Sequence, residues 1–166
     1  MNGPPGDYET FFRAEYPRLV TLASAMTGDR RMAEELAQEA LLRAHKRWAR
    51  IASYDMPGAW VRRVTINLAT SARARRGREQ RTLDRLGAER PPLAPYDYSD
   101  DDFWSLVRQL PRRQAAAVAL HYLEDRPVAE VAAVLGCAEG TAKAHLHKGR
   151  AALARRLDLP EAPDGP

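Results

Sequence analysis

Cysteine is almost absent from this chain. Cys137 stands alone among 166 residues, so no disulfide can close within it, and the composition is not that of a cross-linked secreted domain. Long apolar runs are missing as well. No stretch approaches the ~20 apolar residues of a membrane span. The N-terminal MNGPPGDYE lacks the basic-then-apolar order of a signal peptide. The sequence therefore predicts a soluble, cytoplasmic protein with no membrane association. Lysine is scarce: Lys46, Lys143 and Lys148 are the only ones among 26 basic residues, so arginine carries most of the positive charge. Residues arranged for catalysis are equally scarce. No glycine-rich phosphate loop, nucleophile elbow or paired-carboxylate signature is present. His145 and His147 lie two apart on a predicted helix and point away from each other, and adding Cys137 makes only a thin case for a metal. The expectation is a protein that is not an enzyme and needs neither a metal nor another cofactor.

What the chain does have is uneven charge and helical periodicity. The net charge of +4 is mild, but basic and acidic residues fall in separate segments, as they do in nucleic-acid binders whose acidic parts serve other contacts. The strongest pattern is PVAEVAAVLGCAEGTAKAHLHKGRAALARR, residues 127–156. Val128, Val131, Ala132 and Leu135 give one helix an apolar face; Ala142, Leu146, Gly149 and Leu153 do so for a second. Gly136 stands where the first must stop, because glycine takes a left-handed backbone at little cost. Lys143, His147 and Arg150 then share an outward stripe with Lys148 beside it, and Thr141 offers a hydroxyl near the start. This is the layout of a helix-turn-helix whose second helix enters a major groove. Periodicity alone leaves a plain helical hairpin with a solvated basic face nearly as acceptable; the small-residue turn and the lack of acids between Lys143 and Arg156 favour DNA.

Upstream, Phe12, Tyr16, Leu19, Ala23 and Met26 mark a helix from Asp7 to Thr27, with Pro17 predicting a kink or break. Asp29 is placed to cap the next helix, expected over residues 30–49 with Ala33, Leu36, Ala37, Ala40, Leu41, Ala44 and Trp48 inward. Its polar face is either solvated or a docking surface. A break over residues 51–58 precedes a helix from about Ala59, in which Trp60, Val61, Val64 and Leu68 are the expected buried side. Arg62 and Arg63 are expected opposite them, followed by Arg73, Arg75, Arg76 and Arg78. Arginines with Asn67, Thr70 and Ser71 nearby suit phosphate plus base contact. Tyr54, in the preceding loop, is an aromatic able to hold an unstacked base. Trp48, Trp60 and Trp104 read as core. The proline- and aspartate-rich run ending at Asp102 reads as an extended linker. The predicted fold is all-α: two small helical domains, residues 7–80 and 103–158, joined by a flexible tether over residues 81–102.

Taken in order, these segments resemble a bacterial RNA polymerase sigma factor of the small two-domain, extracytoplasmic-function type, over about Tyr8 to Leu157. AEELAQEALLRAHKRW is similar to the region 2 helix that grips the β′ clamp helices of core RNA polymerase: Glu35, Leu36, Gln38, Glu39 and Leu42 match, and Leu41 stands where phenylalanine is frequent. PGAWVRRVTINLATSARARR looks like the helix that reads the promoter −10 element, with Asn67 and the trailing arginines matching and Ser71 where aspartate is common. The resemblance implies −10 contacts from Tyr54, Arg62, Arg63, Asn67, Ser71, Arg73, Arg75 and Arg76, with the loop at residues 51–57 capturing a flipped base. LPRRQAAAVALHYLEDRPVAEVAAVLGCAEGTAKAHLHKGRAAL is similar to region 4. It implies −35 contacts from Thr141, Lys143, Ala144, His145, His147, Lys148 and Arg150. Pro127 and Ala138 replace the usual capping Ser or Thr. Implied partners are core RNA polymerase (β′ clamp helices and β flap), promoter DNA and a masking anti-sigma protein. Two other readings remain at this point: a one-site helix-turn-helix regulator that dimerises through its N-terminal helices, and a degenerate relative that occupies a partner without reading DNA.

Overall fold

The computed structural model describes residues 6–88 and 101–158 of the chain. Residues 1–5, residues 89–100 of the expected tether and residues 159–166 lie outside these. Among the described residues every regular element is helical. The chain divides into two compact units, Met1–Tyr98 and Ser99–Pro166.

In the first unit α1 (Tyr8–Thr27), α2 (Arg30–Lys46), the short α3 (Trp48–Ile51) and α4 (Pro57–Arg85) follow one another. Pro17 breaks nothing: α1 runs through it as one element, with Pro17 on the exposed side and the Thr21 hydroxyl bonded back to its carbonyl at 3.0 Å. Gly28 ends α1 in the left-handed region at φ 71°, its N–H donating to the Ser24 carbonyl. Asp29 caps α2 by accepting from the Met32 N–H at 3.1 Å. The expected 30–49 helix stops at Lys46, and Trp48 belongs to α3 instead. The core joins Leu19, Val20, Ala23, Ala33, Ala37, Leu41, Ala44, Ile51 and Val61. Full burial of each large aliphatic side chain contributes about 1.5–3 kcal/mol, while the alanines let α1, α2 and α4 approach closely.

Two expectations about α4 need correction. Its buried face is Val61, Arg62, Thr65, Ile66, Ala69 and Ala72, rather than Trp60, Val61, Val64 and Leu68. The helix packs against both α1 and α2, so one wide face is covered and Arg62 falls within it. Its other end also differs: α4 starts at Pro57, with proline at the first turn, and runs on to Arg85, past the expected domain edge at residue 80.

The second unit comprises α5 (Asp101–Arg108), α6 (Arg112–Val118) continuing as a π-helical turn (Ala119–Leu123), α7 (Val128–Leu135) and α8 (Glu139–Arg156). Ala115 to Leu120 are all buried, against Val131, Ala132 and Val134 of α7 and Ala142, Leu146 and Leu153 of α8. The chain turns at Asp125, a non-glycine residue at φ 54°. The turn is held by Arg126, which pairs with Glu124 at 3.4 Å and Glu130 at 2.7 Å. The Arg126 carbonyl accepts from His121 Nδ1 at 2.7 Å; a carbonyl only accepts, so the ring proton sits on that nitrogen.

Candidate functional site

The helix-turn-helix is built as its sequence predicts. Gly136 closes α7 at φ 65° and the chain re-enters a helix within three residues. Neither Pro127 nor Ala138 supplies a side-chain cap, a loss of about 1 kcal/mol at each helix start. Packing of α6 and α7 against α8 holds the pair instead. Gly149 lets α8 seat there: a Cβ at this position would lie 2.9 Å from Val118 Cγ2. With Ala142, Leu146, Gly149 and Leu153 inward, Thr141, Lys143, Ala144, His147, Lys148 and Arg150 are all exposed on the outer side. His145 is half-buried at the edge. Partial burial first, and then the charges of Arg113 and Lys148, hold its imidazole below the ordinary value of 6.5. Arg113 therefore joins the face from α6, its guanidinium donating to the Leu135 carbonyl at 3.1 Å. Sequence reasoning missed it because it lies outside the two motif helices.

In the first unit, Arg63, Asn67, Ser71 and Arg75 are exposed along α4. Arg62 is not: it is 1% exposed, its Nη1 2.7 Å from Glu15 Oε2 and donating to the Gly58 carbonyl at 3.0 Å. It ties α4 to α1, and its expected position opposite the buried side is wrong. Arg76 turns inward as well, pairing at 3.2 Å with the Asp29 carboxylate that also caps α2. Arg73 is half-buried, and desolvation lowers its pKa. Tyr54 and Met56 both project from the short turn between α3 and α4, and Ile51 behind them is buried.

The polar face of α2 carries a third feature. Tyr8, Phe12, Gln38, Glu39, Leu42 and His45 line an open groove of about 510 Å³. Leu42 is 47% exposed at its rim. The Tyr8 hydroxyl donates to the Leu41 carbonyl at 2.8 Å and its ring lies edge-on to His45 and Trp48; burial raises its pKa. Glu35 is exposed, 3.7 Å from Arg31, and Glu39 is held by Arg43 at 2.8 Å. Such exposed pairs contribute at most about 1 kcal/mol, so a partner can exchange them cheaply. Leu36 is half-buried and Gln38 exposed. The aromatic floor comes from Tyr8 and Phe12 of α1; helical spacing marks Phe12 only as part of the apolar face of that helix.

The sigma-70 region 2 family matches residues 11–79 and the sigma-70 region 4 family residues 100–153. The RNA polymerase sigma-E factor of Streptomyces avermitilis is 31% identical over 159 residues, covering 92% of this chain and 86% of that protein. The chain belongs to the sigma-70 family. Within it the ECF RNA polymerase sigma factor SigM of Mycobacterium tuberculosis is 31% identical over 164 residues, covering 90% of this chain and 76% of that protein. The sigma factor RpoE of Bartonella quintana, solved with the anti-sigma factor NepR, superposes with a TM-score of 0.69 at 27% identity, covering 92% of this chain and 98% of that one. This sigma factor is accordingly of the extracytoplasmic-function type. It binds core RNA polymerase and directs promoter-specific initiation through −35 and −10 elements. Among its described residues no helix is long and apolar enough to cross a membrane, and no group of three His, Cys, Asp or Glu is placed to hold a metal ion.

Proposed function

We propose that the work is divided among three faces of the two units. The α2 groove and its rim, Glu35, Leu36, Gln38, Glu39 and Leu42, dock on the polymerase clamp helices. Arg63, Asn67, Ser71, Arg73 and Arg75 of α4 meet the −10 element, and Tyr54 holds a flipped base beside them. Arg62 and Arg76 are left out because their guanidinium groups are committed to Glu15 and Asp29. The outer side of α8 (Thr141, Lys143, Ala144, His145, His147, Lys148 and Arg150) reads the −35 duplex, and the second unit meets the β flap. The residues between the units serve as a tether, so that the two DNA-binding faces reach elements a fixed distance apart. None of this involves bond chemistry: the free energy of binding an unpaired base favours the open duplex. The protein acts in the cytoplasm, and a separate anti-sigma protein covering one or both units, as NepR accompanies RpoE, is the means of control.

The observation that carries this reading is the exposed Leu42 beside an aromatic-floored groove, with acids held only by surface pairs, on a helix otherwise packed inward. Alanine at both Glu35 and Gln38 should weaken core polymerase binding by roughly tenfold or more, the scale of hot-spot truncation. Promoter-directed transcription should fall with it while DNA binding by the second unit persists. A double variant that keeps full core affinity overturns the docking assignment.

His145 gives a second test, with a definite sign. Its folded pKa is lowered, so in the free protein it costs stability as pH falls below 6.5 toward that folded value, and costs none above. A DNA phosphate at the same edge reverses the repulsion from Arg113 and Lys148 and favours the imidazolium. Binding should therefore take up a proton. Holoenzyme affinity for −35 duplex measured at pH 7.5 and 6.0 (about one unit above and half a unit below the ordinary imidazole value) should rise on acidification. The rise should be smaller in His145→Gln, in which His147 remains. Identical pH profiles for the two proteins would remove His145 from the interface.

A further inference from the structure

Beyond Ala72 no residue of α4 is buried, yet the helix continues to Arg85. Arg76 still ties it to Asp29, and the nine residues from Gly77 to Arg85 extend about 14 Å at 1.5 Å per residue. At about 100° per residue, Asn67, Ser71, Arg78, Arg81 and Arg85 fall within an arc of about 80°. The centre of that arc lies opposite the buried face made by Val61, Arg62, Thr65, Ile66, Ala69 and Ala72. Arg78, Arg81 and Arg85 are all exposed. The two acids of the segment stand outside the arc and are engaged elsewhere: Glu79 lies 4.0 Å from Arg75, and Asp84 accepts from Gln80 at 2.9 Å. The face assigned to −10 contacts thus continues, without a turn or a carboxylate, into a cationic edge along the exposed end of the helix.

We propose that Arg78, Arg81 and Arg85 form a second DNA site on this helix, which binds the phosphate backbone of the duplex immediately upstream of the −10 element. Duplex DNA is the occupant that fits. It presents one negative charge per ~1.7 Å of axis, so a straight row of cations along a rigid rod meets several phosphates at once. The edge has arginines but no large apolar side chain on the arc, which is the character of a backbone contact and not of a protein-binding groove. The site sets the direction in which the upstream duplex leaves the opening bubble and adds affinity without adding sequence preference. It rests on the −10 assignment of Asn67 and Ser71 made above.

The test uses the full chain bound to core polymerase and two promoter templates. One has complete duplex upstream; in the other the duplex ends at the upstream edge of the −10 element. The triple variant Arg78→Gln, Arg81→Gln, Arg85→Gln should bind the complete promoter with a log–log salt slope shallower than wild type by roughly 2–3, the value for three lost phosphate contacts. On the truncated template the two proteins should be indistinguishable. Lysine at the same three positions should restore the slope, which separates charge from helix integrity. Equal slopes on the complete promoter overturn the proposal, as does equal weakening on both templates. Weaker binding of the triple variant to core enzyme without DNA also overturns it, and assigns the edge to a protein surface. If wild-type holoenzyme binds neither template better than core enzyme alone, the −10 assignment itself fails.

Discussion

Replacing Arg62 with alanine should destabilise the first unit by about 3–5 kcal/mol, the cost of stranding one partner of a buried ion pair. The Glu15 side chain is only 13% exposed, so the carboxylate left behind is poorly hydrated and has lost its counter-charge. Stability of a small helical domain is of order 5–10 kcal/mol, so the variant should be close to unfolding at growth temperature. Urea unfolding of the full chain followed by tryptophan fluorescence measures the loss, since Trp48 and Trp60 both pack on this core. The double variant Arg62→Leu, Glu15→Leu should recover most of it, because an apolar pair of similar volume replaces two desolvated charges. A loss below about 1 kcal/mol in the single variant, the scale of a solvated surface pair, would show that the pair is hydrated.

Gly149→Val should be nearly as damaging in the second unit. The first added carbon already lies 2.9 Å from Val118 Cγ2 and 3.6 Å from the Gln114 carbonyl, so a branched side chain must push α8 away from α6. Overpacking of this kind costs about 1–3 kcal/mol, and more where backbone must move. Gly149→Ala is the informative control. It adds only the carbon that meets Val118, a buried and stiff side chain, and regains about 1 kcal/mol of helix propensity, so it should destabilise less than valine. Thermal unfolding together with −35 duplex affinity reports both changes. The valine variant should lose DNA binding while core polymerase binding through α2 remains; wild-type stability and −35 affinity in the valine variant would remove Gly149 from the seating of the recognition helix.

The helix-turn-helix was legible in the sequence because every signal in it is local. A left-handed glycine ends one helix, four small or apolar residues recur at helical spacing in the next, and neither depends on a distant partner. The cap at Asp29 was legible for the same reason. Arg62 was not. Its neighbours Trp60, Val64 and Leu68 form an apolar stripe that a single-sided helix would bury, but α4 packs on two helices and its covered face is turned to include Arg62. The counter-charge that makes this tolerable, Glu15, lies on α1 and carries no local mark. Arg76 repeats the lesson: its partner Asp29 is 47 residues away and is doubly used, one carboxylate oxygen for the helix cap and the other for the arginine. A run of arginines reads as one surface, whereas the structure sorts it into two ties and an exposed edge. The α2 face was half legible. Its acids were evident at helical spacing and Leu42 followed only from the family resemblance, whereas the aromatic floor arrives from α1 through packing that periodicity does not encode.

The lost helix caps bear on the reading of the chain as a degenerate relative. Their cost of about 2 kcal/mol in total is modest, and burial of Val131, Val134, Ala142, Leu146 and Leu153 offsets it. The recognition helix is therefore formed, seated and outward-facing without them. Among the described residues no structural feature favours loss of DNA binding.

Run-off transcription on a library of promoter templates, with purified core RNA polymerase in the presence and absence of this chain, measures promoter-directed initiation by this protein directly. Discrete transcripts should come from a subset of templates that share two spaced elements, appearing only when the chain is added and disappearing with alanine at Glu35 and Gln38. Transcript patterns identical with and without the chain would contradict it.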